Sequence, residues 1–432
     1  SEERAVFDYF FRKHPFGGGY ALFCGLENLL EVLESFRFSR DDLDYLKEQG
    51  FHSDFLNFLE SFRFQGNIHA FLEGDVVFSG EPLLQVDARL IEAQLIETLV
   101  LNILNFQTLV ATKAARMREV AKDKVLIDFG LRRAQGPAGH FASRAAFIGG
   151  VDSTSHVRSA RDFSLPSSGT MAHSFIQSYE SELEAFRDFA YFHPDSCVLL
   201  LDTFDTLKSG LPNALTVAGE LREKGKELKG VRLDSGDFSY LSKKVRKKLD
   251  QQGFRHVKIA CSNQLNEFVM RSLNEQNAPI DVFGVGTQLV TGKPDAAVDG
   301  VYKMSFCGDK PRMKFSENIE KMTLPYKKDV YRVSREGFFL GDVVTLKDEG
   351  PPRKMLHPTE PFKEFSLEDA NLNIESALKN VMNEGERTER AKSSEEIKKY
   401  SLQRRCLLSN ETKRFENPHI YKLGLSEKLK TK

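Results

Sequence analysis

The chain has 432 residues, of which 41% are hydrophobic, and its 61 Lys and Arg residues nearly balance 62 Asp and Glu residues, for a net charge of -1. This length suggests roughly three domain-sized units and enough apolar material for a large core. The composition excludes a collagen, a coiled coil and a largely disordered chain. A protein that mainly grips a polyanion usually carries a basic excess, so general nucleic-acid binding is not expected.

The cysteines and the apolar runs indicate the compartment. The five cysteines are scattered without a CxxC pair, which disfavours a disulfide framework or a cysteine-rich zinc site and favours a reducing compartment. The charged N-terminus lacks a signal-peptide core, and no uncharged apolar run approaches about 18 residues. We therefore expect a cytoplasmic protein without membrane spans. The cysteines are Cys24, Cys197, Cys261, Cys307 and Cys406.

The N-terminal part of the chain divides into three patterns. The first 60 or so residues have mainly helical spacing, clearest from Leu26 to Leu33, after a run of three glycines. Residues 62–86 contain short apolar runs separated by Gly and Pro, which predicts β-structure with tight turns. Residues 91–123 contain neither Gly nor Pro, and we expect one long helix there.

From Val125 to about Gly300, apolar strands alternate with helices. This alternation is typical of a parallel sheet covered by helices, which either closes into a barrel or stays open. After Gly300 the pattern indicates a hairpin and further antiparallel strands, followed by a charged, helix-compatible tail. We therefore predict an N-terminal helical and β-rich domain over residues 1–122, an α/β unit with the active-site loops over 123–300, and a C-terminal segment over 301–432 that completes the second domain.

Small polar residues follow each apolar strand of the α/β region. The carboxyl ends of parallel strands form one rim, and ligands bind at such rims in barrel and doubly wound folds. The backbone N–H groups of the GVGT turn are suited to wrap a phosphate, with help from the Thr287 hydroxyl. The alternative is a set of ordinary turns, which favour the same residue types. The rim residues are Asp202, Thr203, Asp205, Thr206, Arg232, Asp234, Ser235, Gly236, Asp237, Ser262, Asn263, Gly284, Gly286 and Thr287.

Three further features are candidates for chemistry. Arg132 and Arg133 follow a predicted strand in a Gly-rich loop, where each guanidinium can fork two oxygens of a polyphosphate; the alternative is a pair of surface salt bridges. His173 follows the SSGT loop near a helix start and suits a nucleophile or base, although a single histidine is more often structural. Tyr20, beside Gly17–Gly19, is by itself equally consistent with a packed aromatic ring.

Taken together, these segments resemble the nicotinate phosphoribosyltransferase family. The similarity runs from about Phe10 to Pro325 in the family's order, and the ending ENPHIYKLGLS also resembles the family's ending. The combination of GTMAHSF, RLDSGD and GVGT is specific to this family. The other matching stretches are FRKHPFGGGYALF, FGLRRAQGP, LLLDTFDT and DVFGVGTQLVT.

The resemblance implies both a fold and a reaction. The fold is the irregular α/β barrel of type II phosphoribosyltransferases, with a second α+β domain built from the N-terminal and C-terminal segments. The reaction joins nicotinate to phosphoribosyl pyrophosphate, giving nicotinate mononucleotide and pyrophosphate, with Mg²⁺ as the cofactor. It is the first step of NAD salvage from nicotinate, coupled to hydrolysis of ATP as co-substrate through a phosphohistidine, which places the enzyme in the ligase class. Family members are homodimers with the active site at the subunit interface.

The resemblance also implies residue roles. His173 matches the phosphorylated histidine, and Thr170 and Arg232 match nicotinate contacts. Tyr20 matches an aromatic residue that stacks on the pyridine ring from the neighbouring subunit. The remaining assignments are Gly284, Gly286 and Thr287 to the ribose 5-phosphate, Arg132 and Arg133 to the phosphates, and Asp202, Asp205 and Asp234, more weakly, to ribose hydroxyls or magnesium.

Some residues depart from the family pattern, and other activities are compatible with the same barrel. His140 and Ala138 in GPAGHFAS, and His156 in TSHV, depart from the family's usual residues near the expected substrate loop. The alternatives to the predicted activity are a quinolinate or nicotinamide phosphoribosyltransferase on the same barrel, or a regulatory module that binds phosphoribosyl pyrophosphate without turnover.

Overall fold

The computed structural model describes residues 2–313, 323–360 and 362–432. Its contacts divide the chain into two units, one made of residues 1–112 and 297–432 and the other of residues 113–296. The sequence placed the first boundary after residue 122, at the end of the long helix, whereas the contacts divide that helix between Thr112 and Lys113. The second boundary lies before Ala297 rather than after Gly300.

The N-terminal segment alternates strands with helices. Its elements are β1 (Arg4–Phe11), a 3₁₀ turn (Pro15–Gly17), β2 (Ala21–Leu22), α1 (Leu26–Ser35), α2 (Arg40–Glu48), α3 (Ser53–Glu60), β3 (Asn67–Ala70), β4 (Val76–Val77), β5 (Leu84–Arg89), α4 (Leu90–Leu95) and α5 (Glu97–Ala121). The predicted β-rich segment is confirmed. The predicted single helix is wrong at one point, because α4 ends before Ile96 and α5 begins after it.

The middle segment has the predicted strand–helix repetition. Its elements are β6 (Val125–Asp128), a 3₁₀ turn (Leu131–Arg133), α6 (Ala138–Gly149), β7 (Ser153–Thr154), α7 (Val157–Asp162), α8 (His173–Gln177), α9 (Glu182–Phe192), β8 (Val198–Leu200), a π-helical turn (Thr206–Gly210), α10 (Leu211–Glu223), β9 (Gly230–Leu233), α11 (Phe238–Gln251), β10 (Lys258–Ser262), α12 (Glu267–Glu275), β11 (Val282–Val285) and α13 (Thr287–Val290).

The C-terminal segment is mainly antiparallel, as the pattern after Gly300 predicts. Its elements are β12 (Gly300–Cys307), β13 (Lys310–Pro311), β14 (Lys328–Arg335), β15 (Phe338–Leu346), β16 (Lys354–Leu356), β17 (Glu364–Ser366), β18 (Leu372–Ser376), β19 (Lys379–Asn383), β20 (Glu386–Arg387), α14 (Ser394–Cys406), α15 (Asn410–Lys413), β21 (Lys422–Leu425) and α16 (Glu427–Lys430). The predicted hairpin forms between β12 and β13, and its last residues, 314–316, lie outside the described residues.

The unit of residues 1–112 and 297–432 contains two large sheets. One has the order β13-β12-β1-β5-β3-β19-β20, and the other has the order β17-β16-β21-β15-β14-β18. In the first sheet, β1 pairs antiparallel with both β12 and β5, so that Phe7 is opposite Met304 on one side and Val86 on the other. Strands from both ends of the chain therefore share one sheet, which explains why the two terminal segments fold as one domain.

The prediction of helix at the start of the chain is wrong for Arg4–Phe11. This segment is a central strand in which Ala5, Val6, Phe7, Tyr9 and Phe11 are all buried. Residues that are buried on both faces of a sheet lose the alternation by which a strand is recognised in a sequence.

The unit of residues 113–296 is built on a parallel sheet in the order β7-β6-β11-β10-β9-β8. Each neighbouring pair is parallel, as in the registers of Phe283 opposite Leu126 and Cys261 opposite Phe283. The pairings of the described strands leave β7 and β8 as the two edges, so the predicted barrel is irregular and open. The helices pack their apolar sides on this sheet. The thiols of Cys197 and Cys261 are fully buried, and burial raises the pKa of each to about 12. Burial and a raised pKa are typical of structural cysteines, which agrees with the interpretation of both as core residues.

Polar side chains fix where several helices of this unit begin. Ser181 accepts a hydrogen bond from the backbone N–H of Glu184 at the start of α9, and Asp237 accepts one from Tyr240 at the start of α11. Asn266 accepts two at the start of α12. Because Asp237 follows β9 and Asn266 follows β10, these two caps set where the chain leaves the rim after each strand. Among the described helices, none is both long and apolar enough to span a membrane.

Candidate active site

A cavity of about 280 Å³ lies at the carboxyl ends of the parallel strands in the unit of residues 113–296. Its lining combines three arginines, a histidine, hydroxyls and three glycines, with few apolar side chains. It brings together nine of the twelve residues assigned from the sequence. The lining residues are Phe129, Arg132, Arg133, Ser155, Gly169, Thr170, Met171, Ala172, His173, Leu200, Arg232, Asp234, Ser262, Asn263, Gln264, Gly284, Gly286 and Thr287.

Arg232 is held by three of its neighbours. Its Nε donates to Ser262 Oγ at 2.8 Å, Nη1 donates to Thr170 Oγ1 at 2.7 Å and Nη2 donates to Asp234 Oδ1 at 2.7 Å. The guanidinium carbon lies 5.5 Å from the centre of the Phe129 ring, which is a cation–π distance. Nη1 also donates to the Met171 carbonyl at 3.3 Å. Within the described part of the chain, one N–H of Nη2 is left for a ligand.

Asp234 is the charged partner of this arginine. Its Oδ1 accepts from both Arg232 and the Ser262 hydroxyl, and its Oδ2 lies 3.7 Å from His173 Nε2. Burial opposes the charge of this carboxylate, but the hydrogen bonds from Ser262 and Arg232 outweigh that effect and lower the pKa of Asp234. A permanent negative charge therefore lies between the arginine and the histidine.

His173 is the first residue of α8, a helix of five residues, and its side chain is 40% exposed. Its Nδ1 and Thr203 Oγ1 are joined by a hydrogen bond of 3.0 Å. Thr203 follows β8, whereas Asp234 follows β9, so the histidine ring lies against the ends of two neighbouring strands. The imidazole therefore faces the cavity in a defined orientation.

The turn after β6 carries the two arginines. Asp128, the last residue of β6, is 1% exposed; its carboxylate accepts from Gly130 N at 2.8 Å, Ser143 Oγ at 2.7 Å and Thr154 Oγ1 at 2.8 Å. A Cβ atom on Gly130 would clash with Val290 Cγ1. The hydrogen bonds of this buried carboxylate therefore hold the loop that leads to Arg132 and Arg133. Because residue 130 is a glycine, the loop can pack closely against Val290.

The turn after β11 lines the cavity with its backbone. A Cβ on Gly284 would lie 2.6 Å from the Phe129 ring, and a Cβ on Gly286 would lie 3.1 Å from the Phe129 carbonyl oxygen. Gly286 precedes the first residue of α13, Thr287. Both glycines allow a close approach of two loops, and they leave N–H groups unobstructed beside a hydroxyl, as an anion site requires.

Three residues assigned from the sequence do not line this cavity. Asp205 caps the π-helical turn by accepting from the N–H groups of Leu207 at 3.0 Å and Lys208 at 2.8 Å. Asp202 accepts from Asp234 N at 3.1 Å through Oδ2. Tyr20 belongs to the other unit and is 4% exposed. Its assignment to a neighbouring subunit's site stays a prediction about an assembly of two chains.

A metal would find few ready ligands here. Among the described residues, no group of three or more His, Cys, Asp or Glu side chains is placed to hold a metal ion. Asp202 Oδ1 is nevertheless a buried acceptor for which the described residues provide no hydrogen-bond partner. Mg²⁺ commonly binds through one or two carboxylates and the phosphates of a substrate, so this donor fits magnesium that arrives with a phosphorylated ligand.

Sequence reasoning missed Phe129 and Asp128. Phe129 follows the apolar strand VLID directly and reaches the cavity, but an aromatic residue after a strand carries no pattern that separates it from a core residue. Asp128 had a usable signal, since an aspartate at a strand end two residues before a glycine suits an Asx-type turn. The departures at His140 and His156 lie outside the cavity lining, because His140 Nδ1 bonds Ser159 Oγ at 3.0 Å and His156 caps α7.

The fold and the cavity define a class of protein: an α/β enzyme whose strand ends gather cationic, hydroxyl and backbone groups around a cavity suited to a small anionic ligand. Models of the nicotinate phosphoribosyltransferase (NAPRTase) family match residues 125–339, its N-terminal domain matches residues 1–105 and its C-terminal domain matches residues 327–432.

Comparisons with individual proteins point to the same family as the family models. The nicotinate phosphoribosyltransferase of Bacillus subtilis (strain 168) is 42% identical over 99% of this chain and 89% of its own length. The crystal structure of human nicotinic acid phosphoribosyltransferase has a TM-score of 0.89 at 30% identity, covering 100% of this chain and 95% of that one. The chain belongs to the nicotinate phosphoribosyltransferase family, and its fold is that family's α/β barrel with a second α+β domain.

A further solved structure is similar in fold alone. Nicotinate-nucleotide pyrophosphorylase from Pyrococcus furiosus has a TM-score of 0.74 at 24% identity, covering 94% of this chain and 90% of that one.

Proposed function

We propose that this chain joins nicotinate to phosphoribosyl pyrophosphate and releases nicotinate mononucleotide and pyrophosphate. The observation that carries the proposal is the arrangement of one cavity, in which Arg232 lies against the Phe129 ring while Arg132, Arg133 and the Gly286–Thr287 turn line the same space. The first pair suits an aromatic carboxylate. The second set suits phosphates.

Nicotinate fits the Arg232 side of the cavity. Its carboxylate would pair with the guanidinium, and its pyridine ring would lie against Phe129. Because Asp234 already holds one Nη2 hydrogen, the ligand carboxylate either takes the remaining N–H or replaces Asp234 at the fork. Nicotinamide has no charge to offer in that exchange, so the site favours nicotinate.

The transfer itself needs charge stabilisation more than acid–base chemistry. The pyridine nitrogen forms a bond to the anomeric carbon while the bond from that carbon to the pyrophosphate oxygen breaks, and the electron pair leaves with pyrophosphate. Arg132 and Arg133 would stabilise the leaving group. When bound, Mg²⁺ supplies further positive charge to the pyrophosphate, and Asp202 Oδ1 is the acceptor available to hold it.

We also propose that ATP phosphorylates His173. An imidazole nitrogen would attack the γ-phosphorus, the bond to the β,γ-bridging oxygen would break, and ADP would leave with that electron pair. The exposure of the ring to the cavity, among arginines and the Gly286–Thr287 turn, supports this role. Later hydrolysis of the phosphohistidine would pull a reversible transfer toward product. On this proposal the enzyme is a cytoplasmic ligase that begins NAD salvage from nicotinate.

The proposal includes a homodimer. Its basis is the resemblance that assigns Tyr20 to the site of a neighbouring subunit. The full enzyme would then carry two sites, each completed by the other chain.

The testing experiment incubates the chain with nicotinate, phosphoribosyl pyrophosphate and Mg²⁺, with and without ATP, and measures nicotinate mononucleotide and ADP. We expect product without ATP, more product with ATP, and loss of both on chelation of Mg²⁺. Preferred use of quinolinate or nicotinamide would contradict the proposal that nicotinate is the substrate. Binding of phosphoribosyl pyrophosphate without turnover would indicate a regulatory module.

The His173→Ala variant tests the ATP step. It should lose ATP stimulation and nicotinate-dependent ATPase activity while retaining some basal transfer, because the nucleophile toward ribose is the pyridine nitrogen. Incubation with γ-labelled ATP should give an acid-labile, base-stable label on the peptide that holds His173. The matched control is His193→Ala, an exposed histidine at the end of α9. Unlabelled enzyme, or unchanged ATP stimulation in His173→Ala, would leave His173 with a structural role only.

A further inference from the structure

The orientation of the His173 ring depends on one hydrogen bond from another segment of the chain. His173 opens a helix of only five residues, and its N-cap residue, Ala172, offers no side-chain hydrogen bond. Its Nδ1 is bonded to Thr203 Oγ1 at 3.0 Å, while Nε2 lies 3.7 Å from Asp234 Oδ2, beyond hydrogen-bond distance. Thr203 is therefore the residue that fixes the rotation of the imidazole.

Thr203 is itself held in a rigid segment. Before it, Asp202 Oδ2 accepts from Asp234 N and from Ser235 Oγ, which ties the segment to the end of β9. After it, Asp205 accepts from the N–H groups of Leu207 and Lys208.

Close backbone packing between Gly210 and Leu201 also holds this segment. A Cβ on Gly210 would clash with the Leu201 carbonyl oxygen, so the turn that follows Thr203 packs directly on the end of β8. A hydroxyl carried by such a segment has little freedom to move away from the ring.

We propose that Thr203 is a positioning residue for His173, and that Asp202 and Asp205 brace the loop that presents it. The proposal rests on the proposed phosphorylation of His173 and deepens it. Phosphoryl transfer requires the attacking nitrogen to lie in line with the departing oxygen, and an imidazole that rotates freely spends little time in that geometry. The hydrogen bond to Nδ1 leaves the ring in one orientation, just as a hydrogen bond to one ring nitrogen orients a histidine that binds a metal through the other.

The residues of the LLLDTFDT motif therefore have different roles. Asp202 and Asp205 act mainly through backbone hydrogen bonds that hold the loop, and Thr203 between them contacts the histidine. Thr206 is also part of the motif, yet among the described residues its hydroxyl makes no hydrogen bond. The same short sequence therefore supplies both the residue to test and its control.

The experiment compares Thr203→Val, Thr203→Ala and Thr203→Ser with Thr206→Val in the full-length enzyme. The readouts are the rate of phosphoenzyme formation from γ-labelled ATP, nicotinate-dependent ATPase activity, and transfer without ATP. We expect Thr203→Val and Thr203→Ala to slow phosphoenzyme formation roughly ten- to hundredfold, with a much smaller loss of ATP-free transfer. Thr203→Ser should restore most of the rate, and Thr206→Val should behave as the unmodified enzyme.

Two results would overturn the proposal: labelling of both Thr203→Val and Thr203→Ala at the unmodified rate, or a loss in Thr203→Ser as large as that in Thr203→Val. Thr203→Ala covers the case in which the valine variant fails to fold. If the unmodified enzyme transfers phosphoribose but takes no label, the phosphohistidine is wrong and this inference falls with it. If the unmodified enzyme is labelled and only the Thr203 results disagree, the proposed function stands and the inference alone is wrong.

Discussion

At the scale of single residues, Arg232 shows how a binding group is prepared before its ligand arrives. Its guanidinium is fixed by Ser262, Thr170 and Asp234, so it loses little conformational freedom when a carboxylate binds. The family resemblance assigned Arg232, with Thr170, to contact nicotinate. The structure gives a fork that already holds a carboxylate, so selection for a charged ligand takes the form of an exchange.

Replacement of Arg232 tests that selection. Arg232→Ala should raise the KM for nicotinate by the equivalent of about 2–5 kcal/mol, because it removes one partner of a buried charge pair. Arg232→Lys should recover only part of the loss, since an ammonium keeps the charge but cannot bond Ser262, Thr170 and Asp234 together. Steady-state kinetics with nicotinate and nicotinamide measure both effects.

The matched control is Arg187→Lys, which alters an arginine–carboxylate pair with Glu220 on α9 and α10. Equal use of nicotinate and nicotinamide by the unmodified enzyme would contradict the selection. So would an unchanged nicotinate KM in both Arg232 variants.

At the scale of elements, the end of β6 organises the side of the cavity that carries Arg132 and Arg133. Asp128 joins its own strand to α6 through Ser143, to β7 through Thr154 and to the arginine loop through Gly130. Its backbone carbonyl also accepts from the N–H of Ser155, which lines the cavity, at 2.9 Å. One buried carboxylate therefore sets the positions of three segments that meet beside the cavity.

The substitution Asp128→Asn should loosen the arginine loop. The amide accepts hydrogen bonds at one oxygen instead of two and carries no charge, so we expect the free energy of unfolding to fall by about 1–3 kcal/mol. The KM for phosphoribosyl pyrophosphate should rise more than the dissociation constant of nicotinate, because Arg132 and Arg133 follow the loop whereas Arg232 does not.

The control for this prediction lies at the opposite end of the same strand. Asp152→Asn changes a carboxylate that accepts from Leu126 N at 2.8 Å and from Arg118 Nη2, neither of which belongs to the arginine loop. It should change stability without the selective effect on phosphoribosyl pyrophosphate. Equal effects on both substrates in Asp128→Asn would indicate that the loop is positioned by other contacts.

At the scale of the whole molecule, the chain closes one domain with both of its ends. The strand β1 lies between β5 and β12, which are far apart in sequence, and the glycine-rich segment before Tyr20 is packed against the C-terminal segment. A Cβ on Gly19 would clash with the Thr412 carbonyl oxygen, so only glycine permits that approach. This packing holds the segment that the family resemblance assigns to a neighbouring subunit's site.

Subunit mixing tests the proposed dimer. Tyr20→Ala and His173→Ala should each lack ATP-stimulated turnover when alone, and random mixing should restore roughly a quarter of the sites, since one site of each heterodimer is intact. Sedimentation of the unmodified enzyme should give the mass of two chains. A monomer with full activity would refute the prediction, and a dimer without recovery on mixing would confine each site to one chain.

The sequence by itself determined the features that depend on residues close together along the chain. The apolar runs with Gly, Ser, Thr, Asp and Asn after them predicted strands ending at a common rim, and nine of the assigned residues line one cavity there. Turn chemistry and helix starts are local effects, so a short stretch of chain is enough to reveal them.

Only the tertiary structure decided which way the side chains face and which distant segments pair. Arg4–Phe11 has the apolar content of a buried helix, and its pairing with β5 and β12 makes it a strand. Asp202, Asp205 and Asp234 follow strands in the same way, yet the first two bond the backbone while Asp234 faces Arg232 and His173. The physical reason is that a carboxylate near many N–H groups takes the nearest good donors, and contacts between segments far apart in sequence decide which donors those are.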